Sequence, residues 1–596
     1  MFRLKNIKTL LLTACLGLCS AAMVSCSDDE TPALPGHGIT EAQWSDINDV
    51  SIEGNTLVYE FEAPGRWVAT TSEPWCELLT PSGFAGTSSL RVKVAPNEGQ
   101  YGRSTDINIQ VEGYSQPCVL TIRQGEGFLE KGDGLYRDVN EWIYEFMNSN
   151  YLWNEHIPDL TLDYSLDYQK FLRSMLDGVA SFDDVNHDDG FWLNGQRQAY
   201  YTYIESNAPV SRAVGSSNTD SGMLIRASIL GASEDDPCGF AVMWVTPGSP
   251  ADEAGVKRGD FIRKVNNVAV TTTNYQSLGG QVLNGNVTID LNDVKFENGA
   301  AIITPRIPSV LVAKNTYKDP AIYKNSTIIT ENGKKIGYLL YMGFHMNYDN
   351  DLIDVFNQFK AEGIEELIID LRYNNGGHVL SSTVLGTLVA GSAHADKIYA
   401  RTVYNATRTA AGEVGEYRIG NPVNPESNNS YAPIANALSS SLNLNRVFVI
   451  TTITTASASE LLINGLRGLG IKVNLIGTST QGKNVGMEGW QKQIGNYTFV
   501  FYPITFYCEN ANGFRDYADG FKPDVEIDDT NIYPGDFGTT ADILSGYAIS
   551  WASTGNKPSV SKARSSMYDN ITVLPSPDEF NEPLTRRLGG SIIMRQ

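Results

Sequence analysis

The chain has 596 residues, of which 42 % are hydrophobic, 10 % aromatic and 19 % charged; this length predicts about three or four domains, and the composition excludes a wholly disordered protein. Sixty-eight Asp and Glu stand against 45 Lys and Arg, a net charge of −23. Such a field repels a phosphate backbone, so nucleic acid is excluded as an expected partner, and the acidity reads as a solvated surface.

Residues 1–26 place Arg3, Lys5 and Lys8 ahead of an apolar run from Leu10 to Val24, the layout of an export signal peptide. The run closes on Met23-Val24-Ser25-Cys26, which resembles a bacterial lipobox. That resemblance implies cleavage before Cys26 and its acylation as a membrane anchor; the alternative is an ordinary cleavable signal. The following Ser27-Asp28-Asp29-Glu30 resembles the acidic tag of surface lipoproteins in Bacteroidetes-type bacteria. The expected location is the cell envelope, lipid-anchored at the outer membrane, on its periplasmic or outer face. Beyond the signal only Cys76, Cys118, Cys238 and Cys508 remain, with no CxxC pair and no zinc spacing, so neither metal nor cofactor is expected. Cys76 and Cys118 share one module and either pair or stay as buried thiols.

Residues 27–38 carry acidic residues, Pro and Gly without apolar periodicity, as a flexible tether does. Over 39–126, runs such as Thr56-Leu57-Val58-Tyr59-Glu60-Phe61, Ser89-Leu90-Arg91-Val92-Lys93-Val94 and Asp106-Ile107-Asn108-Ile109-Gln110-Val111 alternate apolar and polar side chains between turn residues, which predicts a small antiparallel sandwich. Through Gly65-Arg66-Trp67-Val68, Glu73-Pro74-Trp75, Val94-Ala95-Pro96-Asn97 and the closing Val119 to Gly125, the segment resembles the BACON module. The resemblance raises glycan contact through Trp67 and Trp75 as one reading, against the commoner role of buried sandwich tryptophans.

Residues 127–220 turn helical, with Trp142, Phe146 and Met147, then Phe171, Met175 and Leu176, at helical spacing; this reads as a packing cap rather than a site. Residues 221–305 contain Val245-Thr246-Pro247-Gly248-Ser249-Pro250-Ala251-Asp252-Glu253-Ala254-Gly255-Val256-Lys257-Arg258-Gly259-Asp260 and then Ile262 to Asn267, where Pro and Gly bound a short helix before a strand. The stretch resembles a PDZ domain of processing proteases. PDZ domains add a peptide as an extra strand and hold its carboxylate on backbone amides. Gly222, Met223, Leu224 and Ile225 form the candidate peptide-binding loop; the alternative is a PDZ fold that only packs on its neighbour.

Residues 306–550 alternate strands and helices. Strands are expected at Ile336–Phe344, Leu367–Leu371, Arg446–Ile450 and Lys472–Ile476, with a helical stripe at Leu352, Val355, Phe356 and Phe359, a helix opened by Gly376-Gly377 and another over Ala458–Leu469, a stacked α/β core. In such cores reactive groups gather where strand ends lead into helix N-termini. Ser457, in Thr455-Ala456-Ser457-Ala458-Ser459-Glu460-Leu461, occupies such a position, where first-turn amides can hold an oxyanion; a helix-start serine is otherwise a cap. Residues 551–596 are expected as a C-terminal extension.

That run, with Gly477-Thr478-Ser479-Thr480-Gln481-Gly482-Lys483, Asp370-Leu371-Arg372-Tyr373-Asn374-Asn375-Gly376-Gly377 and Gly520-Phe521-Lys522-Pro523-Asp524-Val525, resembles the C-terminal processing (tail-specific) serine proteases over about residues 135–550. The resemblance implies a multidomain chain with an α/β crotonase-like protease core, an inserted PDZ domain, an N-terminal β-sandwich and a helical cap. It makes Ser457 the nucleophile, Lys483 the general base and the amides of Ala458 and of Gly376 or Gly377 the oxyanion hole. Protein or peptide substrates, engaged through their C-termini, are the implied partners. Lysine can act so only if burial away from carboxylates lowers its pKa. Ser459 is the rival nucleophile, but the 26-residue spacing from Ser457 to Lys483 suits the family better. Met487 stands where the family has a lysine-orienting Gln, with Gln481 nearby, and Asn375 replaces the usual Pro. Two alternatives remain: a triad of His345 or His378 with Ser457 and Glu460, and a catalytically impaired surface lipoprotein that binds peptides or glycans.

Overall fold

A computed structural model describes residues 39–574 apart from 42–46, 51–53, 72, 74, 98–102, 115–116, 125–134, 165, 182–188, 194–195, 207–216, 232, 234, 298–299, 495–496, 531 and 561–570. The export segment with Cys26, the tether at 27–38 and the end of the extension lie outside the described residues. Among those described, no helix is long and apolar enough to cross a membrane. The chain divides into two units, residues 1–128 and 129–596.

The first unit is a two-sheet sandwich. Asn55–Ala63 pairs along its whole length with Gly86–Val94, from Asn55↔Val94 to Ala63↔Gly86, and the second sheet runs through Ile47–Val50, Cys118–Gln124, Arg103–Val111, Trp67–Thr71 and Ser82–Gly83. Alternate residues of Gly86–Val94 are buried, because side chains of a strand point to opposite faces. The sandwich departs from an all-antiparallel one at Ile47–Val50, which lies parallel to Cys118–Gln124; no hairpin joins these distant segments to impose the opposite sense. Trp67 is 1 % exposed, donates its indole N–H to Ser88 Oγ at 2.8 Å and meets Phe61 edge-on at 5.0 Å. It is a core residue, not half of a sugar platform. Trp75 is half-buried against the same core, and Cys76 and Cys118 lie buried there as thiols.

The second unit opens with α1 (Leu135–Asn150) and α2 (Tyr168–Val179). Asp167 starts α2 by accepting the Gln169 amide at 2.9 Å, and the helix buries Phe171, Leu172, Met175, Leu176 and Val179. These helices share one apolar cluster with Phe499 and Phe501 of the strand Tyr497–Tyr502, and Tyr203–Ser206 pairs with that strand. The helical region is thereby built into the unit from both ends of the sequence.

The PDZ sheet contains β1 (Met223–Ile229) and β2 (Cys238–Val245), antiparallel from Met223↔Val245 to Ile229↔Cys238. Helix α3 (Tyr275–Asn284) contributes Tyr275, Leu278 and Val282 to the same core as Met223 and Ile225. The short helix Pro250–Glu253 follows a Ser249 cap with proline at its start, as expected of that pattern.

The core sheet runs in the order Ile322–Ile329, β3 (Lys335–Tyr341), β4 (Glu366–Asp370), β5 (Arg446–Thr451), β6 (Lys472–Gly477) and Val525–Glu526. Its first pair is antiparallel and the others parallel. The crossovers include α4 (Asp349–Glu362) between β3 and β4, α5 (Val379–Ala390) between β4 and β5, and α6 (Ala458–Gly468) between β5 and β6. Every residue of β4 is buried, the mark of a sheet covered on both faces. Helix α7 (Ile543–Thr554) packs onto β4, β5 and β6, so the expected boundary at 550 falls inside an element of the core. Finally β7 (Thr572–Val573) returns to the PDZ sheet and pairs antiparallel with β1, Val573 opposite Ser228 and Thr572 opposite Ile229.

Candidate active site

Between the end of β5 and the start of α6 the chain makes a turn held from below by the loop after β4. The Thr452 and Thr454 hydroxyls donate to the Arg372 carbonyl, Thr455 Oγ1 donates to the Leu371 carbonyl at 2.9 Å, and the Ala456 amide donates to the Asn374 carbonyl at 3.2 Å. Over-determined in this way, Ser457 sits at φ 55° and ψ −116°, in the positive-φ region that costs a residue with a Cβ of order 1–3 kcal/mol. Ser457 remains half-buried at the head of α6. The rival Ser459 is fully buried, its hydroxyl donated to the Asn374 carbonyl at 2.9 Å.

Glu460, in the first turn of α6, joins this serine turn to the lysine loop. Its Oε2 accepts the amide of Ser457 at 2.9 Å and that of Lys483 at 2.8 Å, while Oε1 accepts the Gly482 amide at 2.7 Å and the Thr480 hydroxyl at 2.6 Å. One carboxylate oxygen thus brings together the backbones of two residues 26 positions apart. A second tie is the Gln481 amide on the Thr455 carbonyl, 3.0 Å. Gly482 is required here: at φ +94°, a Cβ would lie 1.9 Å from the Ala518 carbonyl oxygen.

Lys483 is buried, and burial pushes its ammonium from the ordinary 10.5 down to about 8, against the opposing pull of Asp189, Glu460 and Cys508. The lysine is therefore not remote from carboxylates, as the sequence suggested; desolvation outweighs them. Burial also pushes Glu460 up to about 7, although all four of its hydrogen bonds favour the charged form. Two groups that the sequence did not single out complete the setting. The Tyr201 ring lies 4.8 Å from Lys483 Nζ, and its hydroxyl accepts from Gln481 Nε2 at 3.1 Å. Asp189 is buried and holds the Tyr201 and Thr202 amides at 3.0 Å each, the Thr202 hydroxyl at 2.7 Å and the Tyr151 hydroxyl at 2.7 Å. The region read as a packing cap therefore also walls the lysine. Gln481 is directed to Tyr201, and Met487 lies half-buried against the apolar cluster that includes Tyr201.

The glycine turn lies against the serine. Gly376 is at φ +109°, and a Cβ on it would stand 2.7 Å from Ser457 Cβ and 2.8 Å from the Ala458 nitrogen; only glycine permits this approach. Its amide, however, donates to Asn374 Oδ1 at 2.9 Å. Gly377, at φ +134°, is packed on the Phe344 carbonyl. No acceptor among the described residues takes the Gly377 or Ala458 amide.

His345 and His378 meet edge-on, ring centroids 6.3 Å apart, and burial lowers the pKa of both. Neither is among the partners of Glu460, whose oxygens are taken by the serine and lysine turns. A triad through Glu460 is thus not assembled. In the PDZ domain, the Gly222 amide donates to Asp220 Oδ1 at 2.8 Å and the Met223 amide to Ser221 Oγ at 3.4 Å. Met223 and Ile225 are core residues of that domain, whereas Leu224 packs into the core of the α/β sheet. Among the described residues, no group of three or more His, Cys, Asp or Glu side chains is placed to hold a metal ion.

Family models match four stretches of the chain: peptidase family S41 at residues 335–527, a PDZ domain at 242–292, the peptidase S41 N-terminal domain at 138–191 and the BACON N-terminal domain at 65–125. The carboxyl-terminal-processing protease of Picosynechococcus sp. is 23 % identical over 239 residues, 40 % of this chain and 49 % of that protein; the chain thus spans about half the length of this relative. The chloroplastic carboxyl-terminal-processing peptidase 1 of Arabidopsis thaliana is 22 % identical over 452 residues, 75 % of this chain and 80 % of its own. A solved structure assigned to the S41 proteases, from Bacteroides fragilis NCTC 9343, is 26 % identical with a TM-score of 0.54, covering 70 % of this chain and 97 % of that one. Matched in this order on that fold, residues 335–527 are a peptidase family S41 domain, preceded by BACON, S41 N-terminal and PDZ domains.

Proposed function

We propose that the chain is an exported serine endopeptidase of the C-terminal-processing type, anchored through an acylated Cys26 in the cell envelope, at the outer membrane, and acting on proteins or peptides through Ser457 and Lys483. The observation that carries this reading is the pair of amide bonds to one oxygen of Glu460, which hold the serine and lysine turns together around a lysine whose pKa falls to about 8. At that value a substantial fraction of Lys483 is neutral near physiological pH and can accept a proton. Lys483 Nζ takes the proton from Ser457 Oγ as Oγ bonds to the scissile carbonyl carbon. The oxygen gains the negative charge and is held by the amides of Ala458 and Gly377, because the Gly376 amide is spent on Asn374. When the carbon–nitrogen bond breaks, the lysine proton passes to the leaving amine and an ester to Ser457 remains. Water, deprotonated by the same lysine, then releases the acid and restores the hydroxyl. Glycan contact is not part of this proposal, since Trp67 lies in the sandwich core.

The test is cleavage of a broad peptide library by residues 27–596, compared with Ser457→Ala and Lys483→Ala. Each substitution is expected to lower kcat/KM by about a thousandfold or more. Unchanged cleavage by Ser457→Ala would reject the site, and an inert wild type would favour the peptide-binding alternative.

A further inference from the structure

Among the described residues the PDZ sheet ends on β1, beyond which only β7 follows. An uncovered strand edge presents a row of unsatisfied backbone groups and recruits another strand. Here the recruit is the chain itself, from 343 residues downstream: Val573 faces Ser228, Thr572 faces Ile229, and the Leu574 amide donates to the Ala227 carbonyl at 3.0 Å. The segment also places side chains. Leu574 packs on the PDZ core, which includes Leu278, Val282 and Leu283 of α3, and Ile571 packs beside Leu230 and Phe261. The segment therefore combines main-chain pairing with an apolar anchor on the PDZ core, the two elements by which a strand-adding domain holds a peptide.

We infer that Ile571–Leu574 is a resident occupant of this strand-adding edge of the PDZ domain, which an incoming extended internal stretch of polypeptide must displace. The internal character follows from the loop at the start of β1. With the Gly222 and Met223 amides committed to Asp220 and Ser221, this loop has fewer amides to offer a terminal carboxylate, so recognition falls on the strand edge itself. The occupant is suited to displacement. Its ladder with β1 is two residue pairs long, and Pro575 and Pro577 follow in the sequence, residues that cannot donate to an extended ladder. Moreover, β1 is tied to the protease core through Arg226, which donates to the carbonyls of Thr530 and Ile532. The inference draws on the proposed proteolysis only in naming a substrate chain as the competitor.

The test reads docking whether or not the chain cleaves. A labelled peptide with the sequence of residues 569–576, amidated or with a free carboxylate, is titrated into Ser457→Ala protein of residues 27–596 by fluorescence polarisation. It is then titrated into the same protein carrying Leu574→Pro, which removes the amide that bonds Ala227. A tethered competitor acts at an effective concentration of about 1 mM, so the Leu574→Pro protein is expected to bind about tenfold tighter or more, with the amide and acid forms equal. A chain ending at Val560, which keeps α7, serves as the second variant and is expected to match Leu574→Pro. Equal binding to intact and altered chains, including no binding to any, overturns the resident-occupant inference. A clear preference for the free carboxylate overturns the internal-stretch part.

Discussion

Replacing Glu460 by Gln separates the two things this side chain does: it clamps two turns by accepting four hydrogen bonds, and it raises the pKa of Lys483 by its charge. The amide has one acceptor oxygen and one donor nitrogen, so its orientation is decided by which partners tolerate a donor. With the nitrogen in place of Oε2, the amides of both Ser457 and Lys483 lose their acceptor. With it in place of Oε1, the Thr480 hydroxyl, which already accepts the Phe521 amide, can turn and accept the side-chain amide as well, so that of the backbone amides only that of Gly482 is stranded. The second orientation wins, and one buried unpaired donor costs about 1–3 kcal/mol. The clamp between serine and lysine turns survives. The charge does not, and since Glu460 raises the Lys483 pKa, its removal lowers it. Labelling of Ser457 with a fluorophosphonate, followed against pH, is expected to show a midpoint near 8 for the wild type and a lower one for Glu460→Gln. The stability deficit also depends on pH. The carboxyl is raised from 4.5 to about 7 in the fold, so its stabilising contribution is full below 4.5 and lost as pH rises through 7. The deficit of the Gln variant in thermal unfolding should therefore shrink over that window. A labelling midpoint that stays put or rises would refute the electrostatic role, and a deficit that grows with pH would refute the burial argument.

Gly376→Ala introduces a Cβ 2.7 Å from Ser457 Cβ at a φ of +109°, and is expected to cut Ser457 labelling at least a hundredfold, as misplaced reacting groups do; labelling at the wild-type rate would show that the close approach is not needed. Arg372 is fully buried between Asp370 at 2.7 Å and Asp542 at 2.6 Å, with Asp529 at 3.2 Å, and Asp542 also pairs with the PDZ residue Arg258 at 3.1 Å. Arg372→Met strands these carboxylates and is expected to cost about 3–5 kcal/mol, read as an earlier denaturant midpoint; a loss below about 1 kcal/mol would mean that the cluster is solvated rather than mutually neutralised.

Much of the core could be read along the chain. Ile336 onward, Leu367–Leu371, Arg446–Ile450 and Lys472–Ile476 are short apolar runs bounded by turn residues, and each is a strand of the main sheet. The helices after Tyr348 and Gly377, and the one beginning at Ala458, stand where helical spacing and glycine breaks put them. These signals are local, since they follow from backbone preference and side-chain period within a dozen residues. The placement of Ser457 at a helix N-terminus is of the same kind. Glu460 was legible as a candidate triad acid but not as a clamp, because the clamp needs the loop of Thr480 to Lys483 brought alongside it.

What the sequence by itself determined, then, is the order of elements, the glycine turn and the serine at the head of its helix, because each depends on neighbours in the chain. Only the tertiary structure decided what surrounds the lysine: Tyr201 and Asp189, 282 and 294 residues upstream, carry no periodic mark, and packing of the helical region on the strand Tyr497–Tyr502 brings them there. The same holds for Thr572–Val573 on the PDZ edge. Two residues of strand have too little pattern to be noticed, and they become a strand only because an edge of unsatisfied amides and carbonyls is there to pair with them.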